Sequence, residues 1–117
     1  MAPHNPAPTI SIDDLEMIDV RIGTVIKAET FPKAKRPAYK LMIDFGDEIG
    51  IRRSSAQITD LYTPEGHVGQ QVIAAVNLPP RQITDFMSEV LTLGLKTDRG
   101  VVLLGPKEEA CNGQGIC

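Results

Sequence analysis

The stretch YKLMIDFGDEIGIRRSSAQ, Tyr39–Gln57, decides the fold. Its first seven residues alternate, with Tyr39, Leu41, Ile43 and Phe45 on one side and Lys40, Met42 and Asp44 on the other. Successive side chains of a strand point to opposite faces, so this is a strand with one buried face. GDEIG turns the chain, and Ile49–Arg53 returns as an antiparallel partner. Ser54-Ser55-Ala56-Gln57 then has the form of a capping box, Ser54 bonding the Gln57 amide and Gln57 reaching back. It predicts a short helix with Ile58, Leu61 and Tyr62 on one face, ended by Thr63-Pro64-Glu65-Gly66.

Upstream, Ser11 can cap a short helix that begins near Ile10, with Asp13 and Asp14 in its first turn and Ile10 stapled onto Leu15. Val20–Thr30 alternates again, Val20, Ile22, Thr24, Ile26 and Ala28 against Arg21, Lys27 and Glu29, and Gly23 predicts a bulge or bend within it. FPKAKRPA, Phe31–Ala38, holds two prolines and three cations and reads as a loop. Downstream, Gln71–Leu78 is apolar on both faces, as in a strand covered on both sides. The prolines of NLPPRQITDFMSE, Asn77–Glu89, stop it, and Glu89–Leu95 follows as a fifth strand with Leu91, Leu93 and Leu95 inward. Asp98-Arg99-Gly100 is a hairpin turn into Val101–Leu104.

Five strands with a small helix between the third and fourth make an all-β OB-fold, a five-stranded Greek-key barrel with short helical extensions. Such barrels bind ligands on the face of strands 2 and 3, between the 1–2 and 4–5 loops. Here the 1–2 loop is FPKAKRPA, the 4–5 loop is PPRQITDFMS, and strands 2 and 3 carry Lys40, Arg52 and Arg53. The prolines predict a lip held in shape before any ligand arrives.

The totals agree with a small single domain. The 117 residues show no composition break, and 42% are hydrophobic with only 4% aromatic and no Trp. Residues 1–8 read as a flexible N-terminal arm and 9–117 as one OB domain. A thin aliphatic core gains stability from a partner subunit. The net charge is −3, which argues against a general nucleic-acid binder. Yet Lys33, Lys35, Arg36, Lys40, Arg52 and Arg53 crowd the first half, so an acidic chain can still own a basic patch. No run is long enough to span a membrane, and MAPHNPAP lacks the features of a signal peptide. Cys111 and Cys117 both fall in the tail CNGQGIC, which points to a cytoplasmic protein with reduced thiols and leaves a tail disulfide geometrically open.

The candidate binding residues each have a structural alternative. The 1–2 loop cations either grip phosphates or keep the loop soluble. Arg52 and Arg53 are adjacent, so in a strand they face opposite ways. Ser55, at a helix N-terminus, could hold an anion besides its capping neighbour. Ile83, Phe86 and Met87 either offer an adaptable apolar surface or fold back as a plug or subunit contact. Ser88 and Glu89 end the knuckle, where Glu89 can pair with Arg81 or cap the cleft. No catalytic residue is assigned. His4 and His67 have no nucleophile or acid cluster beside them, and no GxSxG, P-loop, HExxH or dinucleotide turn is present. No metal or other cofactor is expected.

DVRIGTVIKAETFPKAKRPAYKLMIDFG, EIGIRRSSAQIT, VNLPPRQI and SEVLTLG, in that order, resemble the CsaA family of export-related chaperones. That family lies within the class of tRNA-binding OB domains also appended to methionyl-tRNA synthetase. The resemblance covers about Ile12 to the tail. It implies a non-enzymatic homodimer whose groove accepts unfolded or preprotein clients, with tRNA affinity inherited from the wider class. It implies that Lys35, Arg36, Arg52, Ser54, Ser55, Gln57, Asn77, Arg81, Ser88 and Glu89 line or border the binding surface. The family's pattern after PPR has a basic residue, a glycine and often a lysine, where this chain has Gln82, Asp85 and Met87. Those departures remove positive charge from one lip and add an acid, which favours peptide over RNA. Two expectations follow. One is a dimeric chaperone using Ser54, Ser55, Gln57, Asn77, Arg81, Phe86, Met87, Ser88 and Glu89; the other is a tRNA-binding module using Lys33, Lys35, Arg36, Lys40, Arg52, Arg53 and Arg81.

Overall fold

A computed structural model of the chain describes residues 5–116. Met1–His4 of the expected arm and Cys117 of the cysteine pair lie outside the described residues. The strands are β1 Val20–Thr30, β2 Tyr39–Asp44, β3 Ile51–Ala56, β4 Gln71–Ala75, β5 Arg81–Ile83, β6 Phe86–Ser88, β7 Leu91–Thr92, β8 Gly94–Thr97 and β9 Gly100–Leu103. Helices α1 Ile12–Glu16 and α2 Pro64–His67 complete the set. The main sheet runs β3-β2-β1-β4-β7, and β3 returns to lie beside β7. This nearly closed antiparallel barrel has the OB-fold order, as the alternation of Tyr39–Gln57 predicts. Inside it Val25, Leu41, Ile43, Phe45, Val72 and Ala74 are wholly buried. Each large aliphatic or aromatic side chain so buried contributes about 1.5–3 kcal/mol.

Long-range pairing overrides several local expectations. β3 continues through Ser54 to Ala56 because its backbone pairs with β2 as far as Tyr39↔Ala56. Ser54 and Ser55 are therefore strand residues, and no capping box forms there. The helix before β4 starts where its end was expected: Thr63 caps α2, its Oγ1 accepting from the Gly66 N–H. The frame of β1 shifts between Val25 and Lys27, leaving Ile26 as an extra, exposed residue. The bulge thus falls at Ile26 and not at Gly23. Gly23 has another reason: a Cβ there would lie 2.6 Å from Ile43 Cγ2 and 2.8 Å from Phe45 Cδ1. The fifth strand is shorter than expected, and of its three leucines expected inward only Leu93 is half-buried. Leu91 and Leu95 are 47% and 55% exposed, while Val90 is buried. The Ser11 capping box and the Asp98–Arg99 hairpin turn form as expected.

The segment Ala110–Ile116 is held over β1 and β4. The Gln71 side-chain amide donates to the Ala110 carbonyl at 2.6 Å and accepts from its N–H at 3.1 Å. Thr24 Oγ1 donates to Asn112 Oδ1, and the Ile22 backbone bonds to Gly113 and Gln114. At Gly113, φ is +92° and a Cβ would meet the Phe45 carbonyl oxygen at 2.5 Å, so only glycine fits this close approach.

His67, at the end of α2, is 2% exposed, and neither ring nitrogen has a hydrogen-bond partner. Its ring lies 5.1 Å from that of Tyr62. Burial pushes its pKa below the ordinary 6.5, because the fold prefers the neutral ring. Stability is therefore full above pH 6.5 and is lost as pH falls from there toward the folded-state value. His67→Phe keeps the ring contact and removes the titration. Thermal melts from alkaline to acid pH should show the wild type losing more stability than the variant. Near neutrality the variant should match or exceed the wild type by about 1 kcal/mol, since two unpaired nitrogens disappear. Parallel pH profiles for the two proteins would refute this account.

Candidate polymer-binding cleft

The two proline-bearing lips meet. Phe31 of the β1–β2 loop and Phe86 of β6 are both buried, edge to face, with ring centroids 5.5 Å apart. Ala38 is buried with them, and Ala34 and Ile83 pack against the pair. Lys40 Nζ lies 4.8 Å from the Phe31 centroid and 5.5 Å from that of Phe86. Arg53 Cζ lies 5.6 Å from the Phe86 centroid. Cations over ring faces are attracted by the ring quadrupole, at about 0.5–1 kcal/mol where exposed. Phe86 is therefore the plug of its two alternatives, and Lys40 and Arg53 pack on it.

At the tip of the lip, Lys33 Nζ reaches Asp85 Oδ2 at 2.8 Å. The hydrogen bond to Asp85 raises the Lys33 pKa, and the same bond holds the Asp85 carboxyl below the usual carboxylate range. The 4–5 loop is more regular than expected. Arg81–Ile83 and Phe86–Ser88 form a hairpin around Thr84-Asp85, with Thr84 at φ +54°.

Several residues expected to line a client groove also build the barrel's seam: Ser55, Ser88 and Glu89 do both, while Ser54 is buried in the seam. The Arg53 N–H donates to Glu89 Oε1 at 3.0 Å, and the Glu89 N–H donates to the Arg53 carbonyl at 2.8 Å. The Ser55 N–H donates to Ser88 Oγ at 3.0 Å. Ser54 Oγ, fully buried, donates to the Val90 carbonyl at 3.2 Å and lies 2.8 Å from Thr92 Oγ1. These bonds join β3 to the chain leading into β7, and they bring Val90 and Thr92 toward Ser54 in place of the leucines. Glu89 also pairs with Arg53 Nε at 3.3 Å, not with Arg81. Arg52 faces the other way from Arg53, as adjacency requires, and Nε donates to the Ile49 carbonyl at 3.2 Å.

Two adjoining clefts remain beside this seam. A cleft of about 340 Å³ has Lys35, Arg36 and Arg81 on its walls with Ser55 and Gln57. A larger groove of about 590 Å³ is lined by Ile58, Leu78, Pro79, Pro80, Val101 and Leu103, and it shares Ser55, Gln57, Arg81 and Ile83 with the first. Lys35 and Arg36 thus line one cleft together with Arg81, which lies 45 positions beyond Arg36 along the chain. Met87 sits half-buried opposite Gln82 in the hairpin.

Asn77 lies elsewhere. Its Oδ1 accepts from the Asp19 N–H and its Nδ2 donates to the Met17 carbonyl, each at 2.9 Å. It borders a third cleft, about 440 Å³, lined by Ile12, Leu15, Met17, Ile18, Val20 and Ile116. Sequence reasoning missed the Phe31–Phe86 contact and the Lys33–Asp85 pair. Two phenylalanines in otherwise polar, proline-bearing loops were the signal for the first. Among the described residues, no group of three His, Cys, Asp or Glu could hold a metal ion, and no helix is long and apolar enough to cross a membrane.

Comparison with known proteins adds to this geometry. A family model described as "Putative tRNA binding domain" matches residues 20–115. The chain is similar to the crystal structure of chaperone CsaA from Bacillus anthracis str. Ames, with 48% identity and a TM-score of 0.87, over 94% of this chain and 100% of that one. It is similar to the CsaA chaperone protein from Picrophilus torridus, with 45% identity and a TM-score of 0.88, over 93% of this chain and 100% of that one. It is 39% identical over 108 residues to the methionine–tRNA ligase of Archaeoglobus fulgidus. That match takes in 92% of this chain but 16% of the ligase, so the chain spans only a small part of that relative's length.

Proposed function

The chain belongs to the CsaA family within the tRNA-binding domain class, and from that premise we propose that it is a non-catalytic, cytoplasmic, homodimeric chaperone. It holds extended segments of unfolded or preprotein clients for export. The observation that carries this reading is the groove of about 590 Å³, whose lining is largely apolar and includes Ser55, Gln57 and Arg81. Apolar client side chains gain burial on Leu78, Val101 and Leu103, while those polar residues take up backbone and carboxylate groups. Pro79 and Pro80 hold one wall in place, so binding costs little ordering of the protein. Residues 9–117 act as one unit, and no cofactor takes part.

The test is suppression of aggregation of a chemically denatured client. Leu78 and Leu91 are exposed on the groove, so aspartates there should leave the fold intact. Losing both apolar contacts should cost about 2 kcal/mol of client binding, about thirtyfold in affinity. A Leu78→Asp, Leu91→Asp protein that protects the client as well as the wild type would show that the groove is not the client site.

A second reading, tRNA binding, is favoured by the convergence of Lys35, Arg36 and Arg81 on the adjoining cleft. Three cations around one cleft can neutralise neighbouring phosphates and release their counterions. Because the clefts adjoin, a client segment and an RNA backbone would compete.

A further inference from the structure

We propose that Asp85 is an internal anion that occupies Lys33, on the same loop as Lys35 and Arg36, and so sets how strongly these lips take up tRNA. This rests on the tRNA-binding reading above. Lys33 stands on one lip and Asp85 at the hairpin tip of the other, 2.8 Å apart. The carboxylate is fixed from both sides. Lys33 holds Oδ2, and the Thr84 hydroxyl donates to Oδ1 at 3.2 Å. Gln82 steadies the turn by donating from Nε2 to the Thr84 carbonyl at 3.1 Å.

The pair does little for folding. The Lys33 and Asp85 side chains are 68% and 57% exposed, where ion pairs are screened and contribute little. The buried Phe31–Phe86 contact already joins the lips. What the pair does change is the cations' availability. Lys33 is engaged by Asp85, Arg53 by Glu89, and Lys40 by the two rings. A phosphate approaching Lys33 must displace a carboxylate and approach its charge. Asp85 thus takes the position that a backbone phosphate would otherwise fill.

Equilibrium binding of unmodified tRNA across a salt series tests this with five proteins: wild type, Asp85→Ala, Asp85→Asn, Lys33→Met and the Asp85→Ala, Lys33→Met double variant. Freeing Lys33 adds one phosphate contact. The salt slope of Asp85→Ala should steepen by about 0.9, which at about 0.1 M salt is about eightfold tighter binding. Lys33→Met alone removes no phosphate contact, because that lysine is already occupied, and should leave the salt slope unchanged, weakening binding only through the Asp85 charge it leaves unpaired. In the Asp85→Ala background the same change should cost the full gain, about eightfold. Asp85→Asn, of nearly unchanged size, should shift the slope in the same direction, which separates charge from turn geometry. If the wild type binds tRNA and Asp85→Ala and Asp85→Asn bind with its affinity and slope, Asp85 has no such role and the tRNA reading stands. If no variant binds tRNA at any salt concentration, both fall.

Discussion

Phe86→Ala should destabilise the protein by about 3–5 kcal/mol and part the two lips of the cleft. Phe86 is buried against Phe31, with Ala38, Ala34 and Ile83 around the pair. Truncation removes the ring's transfer energy and leaves a cavity that Phe31 alone cannot fill. Lys40 and Arg53 lose a ring face at the same time. This cluster is separate from the barrel core, so the loss should be felt first locally. Hydrogen exchange at residues 31–38 and 81–88 should accelerate before that of β2 and β4. Phe86→Leu, which restores most of the apolar volume, should recover much of the loss. Denaturant midpoints equal for wild type and Phe86→Ala would mean that the rings do not hold the lips.

The second large effect concerns the proposed dimer. Helix α1 buries none of its residues, and Ile12 and Met17 are 66% and 74% exposed beside the cleft that contains Ile18 and Ile116. A five-residue helix is too short to persist alone, and an apolar patch of this kind marks a contact surface. With a second copy covering it, Ile12→Asp with Met17→Asp would forfeit about 4 kcal/mol of burial and place charge against apolar surface. That is about a thousandfold in dissociation constant. Light scattering should show the mass halved, with the variant still unfolding cooperatively because both side chains are exposed in the protomer, though at a lower temperature than the wild type because the partner's stabilisation is lost. A wild type already monomeric at every concentration would remove the dimer from the proposal.

Most of the barrel was legible in the sequence because its strands alternate cleanly. Tyr39, Leu41, Ile43 and Phe45 are all buried, as their spacing requires. The failures share one cause, namely partners far away along the chain. Ser54-Ser55-Ala56-Gln57 has the chemistry of a helix cap, but the ladder to β2 keeps it extended. Leu91 and Leu95 alternate as if inward, yet Val90 and Thr92 are turned inward by bonds to Ser54. The bulge at Ile26 has no sequence mark, since the glycine nearby serves close packing. At the site, the convergence of Arg36 and Arg81 could be anticipated from the strand order. The pairing of Lys33 with Asp85, 52 positions apart, and of Arg53 with Glu89, 36 apart, could not. Side-chain choice among several nearby acids and bases depends on distances that only the folded lips fix.

The strap Ala110–Ile116 has a consequence for storage and handling. β2 stops pairing with β1 at Thr24, and beyond it the backbone of Val20 and Ile22 bonds to Gly113, Gln114 and Ile116. Were the strap clipped by a protease or pushed aside by a crowded fusion, those main-chain groups would lie open to any passing chain. Bare strand margins recruit one another and seed aggregates, so loss of the strap would turn a folded barrel into a nucleus for its own precipitation.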